Sequence, residues 1–341
     1  MKKSNIISLI LCAVAFVIMV FYMLFVDGEQ VYEALAKIKG VFLLAAALCM
    51  CVYWVLEASV LNMVIKAVHP AIKFRYSLSV SMIGQYFNCV TPFASGGQPM
   101  QAYYLSRYKV PLGSGMTALL SKFIIYQFTL TIYCLFMLFL RIHYFGAELG
   151  ALKILTVVGF IINFAVILAL LTLALFKNLA FNIAHFILKI LSKIKLVKNY
   201  ERKLDFITEE AELYRKNFLF LRRQPVLMLK MFALTVLQLT AYFSISFVIY
   251  KGFGLSGSDY LTIIACQSFV LMISSFFPLP GALGAAEGSY GAFFGGIFGT
   301  LVTFSMFVWR FLTFYVPLIL GLGITLMIDR KNTDNIPPPM K

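Results

Sequence analysis

Apolar runs of about twenty residues or more recur at 6–26, 41–65, 116–140, 153–175, 226–250 and 301–328. Each is long enough for a helix to cross the hydrocarbon core of a bilayer. Three further apolar runs, 77–91, 260–277 and 285–299, are short or interrupted, and two Gly/Pro-rich stretches break them. The first reads Asn88-Cys-Val-Thr-Pro-Phe-Ala-Ser-Gly-Gly-Gln-Pro99 and the second Phe277-Pro-Leu-Pro-Gly-Ala-Leu-Gly-Ala-Ala-Glu-Gly288. Backbone broken at membrane depth is costly unless protein or a water-filled cavity covers it. One such break per half of a polytopic chain points to a substrate site between inverted repeats.

The pattern predicts an all-α integral membrane protein: a polytopic bundle of about six full spans plus two opposed re-entrant hairpins with inverted-repeat character. Eight or nine ordinary spans, some of them short, is the plainer alternative. The expected division is an N-terminal membrane half, 1–175, broken at 77–110, then a cytoplasmic amphipathic basic linker, 176–224. A C-terminal membrane half, 225–330, broken at 260–299, and a tail, 331–341, complete it. In the linker, Leu204, Ile207, Ala211, Tyr214, Phe218 and Leu221 recur at helical spacing, with Arg202, Glu209, Glu212 and Lys216 on the other faces. Ile183, Ile187, Ile190 and Ile194 make a similar stripe upstream. Such helices lie on a membrane surface or against the bundle.

Composition agrees: 61% of residues are hydrophobic and 13% charged, against about 25% charged in soluble domains. The net charge of +15 resembles that of a nucleic-acid binder, but the cations sit beside spans and in the linker. That is positive-inside topology with attraction to anionic lipid, and no direct nucleic-acid binding is expected. Lys2 and Lys3 put the N-terminus in the cytoplasm, and Asp329-Arg-Lys331 puts the C-terminus there too. Polar Asp27-Gly-Glu-Gln30 follows the first run where small cleavage-site residues would stand, so that run reads as an uncleaved helix. Cys12, Cys49, Cys51, Cys89, Cys134 and Cys266 all fall in apolar runs, and His69, His143 and His185 are scattered. Neither a metal site nor a cofactor is expected.

Candidate chemistry concentrates at the breaks. Helices starting near Gln98, where Pro99 suits the first helical position, and after Leu283 would aim N–H groups and a positive dipole end at the hairpin tips, as phosphate-binding helices do. Gly96 and Gly97, Gly281 and Gly284, and the breakers Pro92, Pro278 and Pro280 supply the bends. These residues either bind a ligand or simply bend helices. Asn88, Thr91, Gln98 and Gln101 either hydrogen-bond a headgroup or satisfy the broken backbone. Charges inside apolar runs usually face a polar interior or a partner. Glu57 and Lys122 can pair with each other, and Lys122 can also snorkel to the interface. Arg310, deep in the last run, is the stronger anion-gripping candidate. Glu287 is its counter-charge, a proton-coupling carboxylate or only a helix-dipole partner; Glu57 is the other candidate coupling carboxylate. Arg107 joins the substrate-binding set. No nucleophile elbow, HExxH or P-loop is present, so no catalytic residue is assigned.

At these residues the chain resembles the lysylphosphatidylglycerol synthase transmembrane family, the flippase-like half of the bacterial multiple peptide resistance factor. The resemblance rests on Thr91-Pro-Phe-Ala-Ser-Gly-Gly-Gln-Pro-Met-Gln-Ala-Tyr-Tyr-Leu105 and Phe277-Pro-Leu-Pro-Gly-Ala-Leu-Gly-Ala-Ala-Glu287 and covers roughly residues 5–330. It implies a bacterial cytoplasmic-membrane protein that translocates a phospholipid, in the best-known members aminoacylated phosphatidylglycerol, with the broken regions lining the headgroup path. Many relatives carry Gly-Glu followed three residues later by Arg at the first motif; Gln98 and Gln101 stand there in this chain, making the site less charged. The soluble domain that transfers lysine from lysyl-tRNA has no counterpart in this sequence, so no transferase activity is expected of it alone.

Four readings follow. The leading one is a lipid flippase whose partners are the bilayer, its phospholipid substrate and a separate lipid-modifying enzyme. The others are a phosphatidylglycerol lysyltransferase acting with a separate catalytic domain, a secondary transporter of a small anion, and a membrane scaffold.

Overall fold

The computed structural model describes residues 28–141, 152–175, 223–275 and 277–331, with isolated positions between 10 and 25 and between 205 and 220. The described residues are helical throughout, without strands. In chain order the helices are α1 Gly28–Lys37, α2 Gly40–Val68, α3 Phe74–Val90, α4 Gly97–Arg107, α5 Leu112–Leu140 and α6 Leu152–Leu175. There follow α7 Pro225–Gly252, α8 Tyr260–Ser274, α9 Ala285–Phe298, α10 Val302–Arg310 and α11 Val316–Lys331. A π-helical turn, Phe311–Tyr315, joins α10 to α11. By length and composition α2, α5, α7 and the largely helical stretch Pro280–Arg330 can each cross a membrane. The expected first span and most of the linker at 176–224 lie outside the described residues.

Helices α2 and α7 form the antiparallel centre of the bundle and share its most extensive contact. The Lys39 amide donates to the Gly252 carbonyl at 3.1 Å, joining the start of α2 to the end of α7. Around this pair, α3 with α4 and α8 with α9 form two helical hairpins. The ends of the first hairpin meet where Tyr76, early in α3, stacks on Tyr108, just past α4, at 4.2 Å between ring centroids. Arg107 there pairs with Asp329 near the end of α11 at 2.6 Å, and the Tyr104 hydroxyl donates to the same carboxylate at 2.9 Å.

The second hairpin closes at the opposite end of the bundle. Tyr260 at the start of α8 packs edge-on against Phe247 of α7, and Phe298 at the end of α9 packs against Tyr250 and Phe253. Arg141, after α5, pairs with Asp259 at that same end. The two hairpins therefore enter the bundle from opposite ends, and their tips pack on one another.

Polar groups and small residues allow this interior. Gln267 is fully buried, and its side-chain oxygen accepts a hydrogen bond from Ser246 at 2.6 Å. At Gly321, α11 lies so close to α3 that an added Cβ would stand 2.5 Å from the Met82 carbonyl oxygen and 2.7 Å from the Tyr86 Cβ. Sequence patterning does not predict α1. It is a short amphipathic helix that buries Val31 and Ala34 against the start of α10.

The contact at Gly321 sets a test of the fold. Gly321→Leu overpacks the α3–α11 seam and is expected to cost about 1–3 kcal/mol, read as a lower unfolding temperature in detergent. Gly323→Ala, where an added Cβ meets nothing within 4 Å, is expected to be neutral or slightly stabilising, since alanine outranks glycine in helices.

Candidate functional site

Each hairpin tip is a strained turn opened by proline. Pro92–Ala94 and Pro280–Ala282 are short 3₁₀ turns. Phe93, Ala94 and Ala282 hold φ of 56°, 49° and 54°, and Gly281 holds 61°. The left-handed region costs an L-residue about 1–2 kcal/mol, and such strain gathers at functional sites. Gly281 is constrained further, because a Cβ there would stand 2.0 Å from the Phe314 ring.

The tip of the first hairpin is satisfied from within. The Gly97 amide donates to Asn88 Oδ1 at 3.1 Å and the Gly96 amide to Thr91 Oγ1 at 2.8 Å. The Thr91 hydroxyl donates in turn to the Phe87 carbonyl. A Cβ on Gly97 would sit 2.1 Å from Asn88 Oδ1, so this glycine is what lets the amide reach the start of α4. Helix α4 begins at Gly97, one residue before the expected start, and Pro99 falls at its third position rather than its first. At the second tip the Gly284 amide donates to the Glu287 carboxylate at 2.7 Å, closing the first turn of α9.

Between the tips and the α2–α7 pair lies a cavity of about 470 Å³. Of the residues singled out in the sequence, it brings together Glu57, Asn88, Gln98, Gln101, Lys122, Gly281 and Arg310. Thr91, Gly96 and Gly97 stay within the first tip, as described. Arg107 is not brought to the cavity: the eleven residues of α4 carry it to the end of the bundle, where it pairs with Asp329. Gly284 faces a different space, described below.

The buried charges are held in two ion pairs. Lys122 Nζ lies 2.6 Å from Glu57 Oε1, and Gln85 Nε2 donates to Glu57 Oε2 at 2.6 Å. Arg310 Nε lies 2.6 Å from Glu287 Oε1, and Arg310 Nη2 donates to the Gly281 carbonyl at 2.8 Å. Its guanidinium also lies over the Phe314 ring, 4.7 Å from the centroid, a placement that favours a cation. Arg310 is the last residue before the π-helical turn, a feature common at functional sites.

The two cations occupy equivalent positions. The pattern Pro-x-Ala-x-Gly occurs at Pro92–Gly96 and again at Pro280–Gly284, and thirty residues after each proline stands a cation, Lys122 or Arg310. Because the hairpins enter from opposite ends, the two cations approach the cavity from opposite ends as well.

Beyond Asn88, Gln98 and Gln101, sequence reasoning missed the neutral polar and aromatic lining. Tyr53, Gln85, Tyr126, Gln127, Gln238, Tyr242, Trp309 and Thr313 all face the cavity. Gln238 Nε2 and Trp309 Nε1 are buried, with the hydroxyls of Tyr53 and Tyr242 respectively close by. Both are donors, as are the two cations, so the cavity suits a ligand rich in acceptor oxygens. The signal in the sequence was the recurrence of amides and tyrosines inside otherwise apolar runs.

Two opposed helical hairpins meeting over a polar cavity sit within an all-α membrane protein. The chain belongs to the family described as the lysylphosphatidylglycerol synthase TM region, whose model matches residues 8–321. No curated protein matches the chain.

Removing one member of a buried pair leaves an uncompensated charge, a loss of about 3–5 kcal/mol, whereas replacing both with apolar residues is often neutral. Glu57→Leu is therefore expected to lower the unfolding temperature more than Glu57→Leu combined with Lys122→Met. Equal losses in a thermal melt of the purified protein would show that the pair carries no such coupling.

Proposed function

We propose that this protein moves a phosphate-bearing phospholipid, anionic or aminoacylated, between the leaflets of a bacterial cytoplasmic membrane. Both hairpins are re-entrant in this reading, with both chain termini in the cytoplasm. The observation that carries it is the cavity at the hairpin tips, where Lys122 and Arg310 approach from opposite ends, each balanced by a carboxylate. Lys122 lies ten residues into α5 and Arg310 eight into α10, so each is ~12–15 Å from its end of the bundle. In a hydrocarbon core of about 30 Å both stand near the midplane, the highest point of the barrier that a headgroup must cross.

The chemistry follows from exchange of partners. A charge in hydrocarbon is expensive, and a headgroup phosphate can cross only where donors replace its water. Arg310 offers a planar fork suited to phosphate oxygens, Lys122 a mobile ammonium, and Gln98, Gln238 and Trp309 neutral donors. Glu57 and Glu287 pair with the cations and keep them neutralised. A phosphate entering the cavity competes for the same donors, and a headgroup amine can take up the released carboxylate. Glu57 and Glu287 are thus also the candidate sites of proton coupling. Arg107, paired with Asp329 at the cytoplasmic end, serves in this reading at the mouth of the path rather than in the cavity.

The test is leaflet exchange of labelled phosphatidylglycerol and lysyl-phosphatidylglycerol by the purified protein in liposomes. Wild-type protein is expected to exchange at least one of them, and Arg310→Ala to slow that exchange by roughly tenfold or more, the equivalent of one lost charge-assisted hydrogen bond. Folded wild-type protein that exchanges neither lipid contradicts the proposal. Aminoacyl-lipid synthesis by the protein given charged tRNA would instead favour the lysyltransferase reading.

A further inference from the structure

A second space adjoins the polar cavity and differs from it in chemistry. It has a volume of about 370 Å³ and runs between α6 and the second hairpin. Val158, Gly159 and Ile162 of α6 form one wall, and Met272 and Ile273 of α8 belong to the other. Gly284, just before α9, and Gly288 and Ala292 on it, four residues apart, form a floor of small side chains. Ser289 is the one polar side chain of the lining, and its hydroxyl is spent on the Ala285 carbonyl at 2.6 Å. The groove is open: of its lining, Val158 and Ile162 are 44% and 38% exposed, and Gly284, Gly288 and Ala292 are exposed too.

Phe277 lines both the groove and the polar cavity. The wall between them is thin elsewhere too. At the end of α8, Leu271, Ser274 and Ser275 face the cavity, whereas Met272 and Ile273 face the groove. At the tip, Gly281 and Ala282 face the cavity, and Gly284 and Ala285 face the groove.

We infer that this groove holds an acyl chain of the same lipid whose headgroup occupies the polar cavity, with Phe277 at the junction of head and tail. The inference rests on the proposed translocation and adds to it the place in the fold where the tail of the lipid lies. Three observations carry it. An apolar groove open to hydrocarbon forfeits dispersion contacts if left empty and offers water too few polar partners to stay, which leaves a hydrocarbon chain as its occupant. Its neighbour across Phe277 is lined by the cations Lys122 and Arg310 and the neutral donors Gln98, Gln238 and Trp309, so one ligand filling both spaces has an acceptor-rich head and an apolar tail. A small soluble anion would use the cavity and leave the groove without a purpose. Because lipid tails gain no hydrophobic energy on leaving the bilayer for a protein groove, the groove contributes alignment: it holds the chain where the attached head can reach Arg310.

Gly288 provides the test. An added Cβ at Gly288 meets nothing within 4 Å, so Gly288→Leu fills the groove without a clash at Cβ and raises helix propensity. Gly295→Leu, on the same helix in equally open surroundings but outside the groove, is the control. Two readouts are taken on the full chain in liposomes. One is leaflet exchange of labelled phosphatidylglycerol; the other is photocrosslinking by phosphatidylglycerol bearing a diazirine on one acyl chain, with the labelled peptides identified by mass. The expected result is crosslinking to the segments around Ile162 and Met272, lost in Gly288→Leu and retained in Gly295→Leu, with exchange at least tenfold slower in Gly288→Leu alone. Crosslinking at the groove that Gly288→Leu does not reduce would overturn the inference, and so would wild-type exchange in Gly288→Leu. If exchange survives Gly288→Leu but fails in Arg310→Ala, the groove is rejected and translocation stands. If groove-specific crosslinking occurs without any exchange, the groove stands and translocation is rejected.

Discussion

Backbone that is broken inside a membrane must find its hydrogen bonds within the protein, and in the proposed re-entrant reading that constraint falls on the hairpin tips. Neither hairpin could turn in hydrocarbon without local partners for its first helical N–H groups and last carbonyls. The first tip meets the requirement with Asn88 and Thr91. The second meets it with Glu287 on the Gly284 amide and Arg310 on the Gly281 carbonyl. The second solution brings a full ion pair into the turn itself. Arg310 is therefore both a structural brace and the strongest cation of the cavity, and its loss would be felt in both roles.

Pairing also governs the electrostatics. Two unpaired cations at this depth would carry a large desolvation cost, and the structure holds each at 2.6 Å from a carboxylate. The charges of the two pairs thus balance. Neutrality of this kind favours exchange over trapping. An anion that bound two bare cations near the midplane would be held too tightly to leave, whereas one that must displace Glu57 or Glu287 gains only the difference between two similar partners. Transport across a barrier calls for a site of that modest depth.

Much of the fold was legible because the physical rules of a membrane are severe. The proline–glycine breaks announced both hairpin tips, and the need of buried charges for partners foretold Glu57 with Lys122 and Arg310 with Glu287. Other features were not legible for equally physical reasons. Asn88 and Thr91 are suited both to a ligand and to a broken backbone, and only coordinates show them occupied by the amides of Gly97 and Gly96. Arg107 reads as a companion of the first motif, yet a helix of eleven residues carries it to the far end of the hairpin. The tyrosines and amides of the lining sit in runs whose mean hydropathy hides them. Helix α1 is too short for periodicity alone to distinguish it from a polar loop.

The repeated motif adds a point that neither hairpin makes alone. Pro-x-Ala-x-Gly and its trailing cation occur once in each half, but the halves have diverged unevenly around them. At the first tip the position equivalent to Glu287 is Pro99, so Lys122 draws its carboxylate from α2 instead, as Glu57. One cation is consequently tied to its own hairpin and the other to the central helix pair. A displacement of the second hairpin would carry Glu287 along with the Gly281 carbonyl, loosening both bonds to Arg310 at once. A displacement of the first would leave the Glu57–Lys122 pair intact, because neither residue belongs to that hairpin, and would strain only the Gln85 contact to Glu57. Motion of the second hairpin is thus the one that frees a cation, and it is also the motion that would change the wall shared by the polar cavity and the apolar groove.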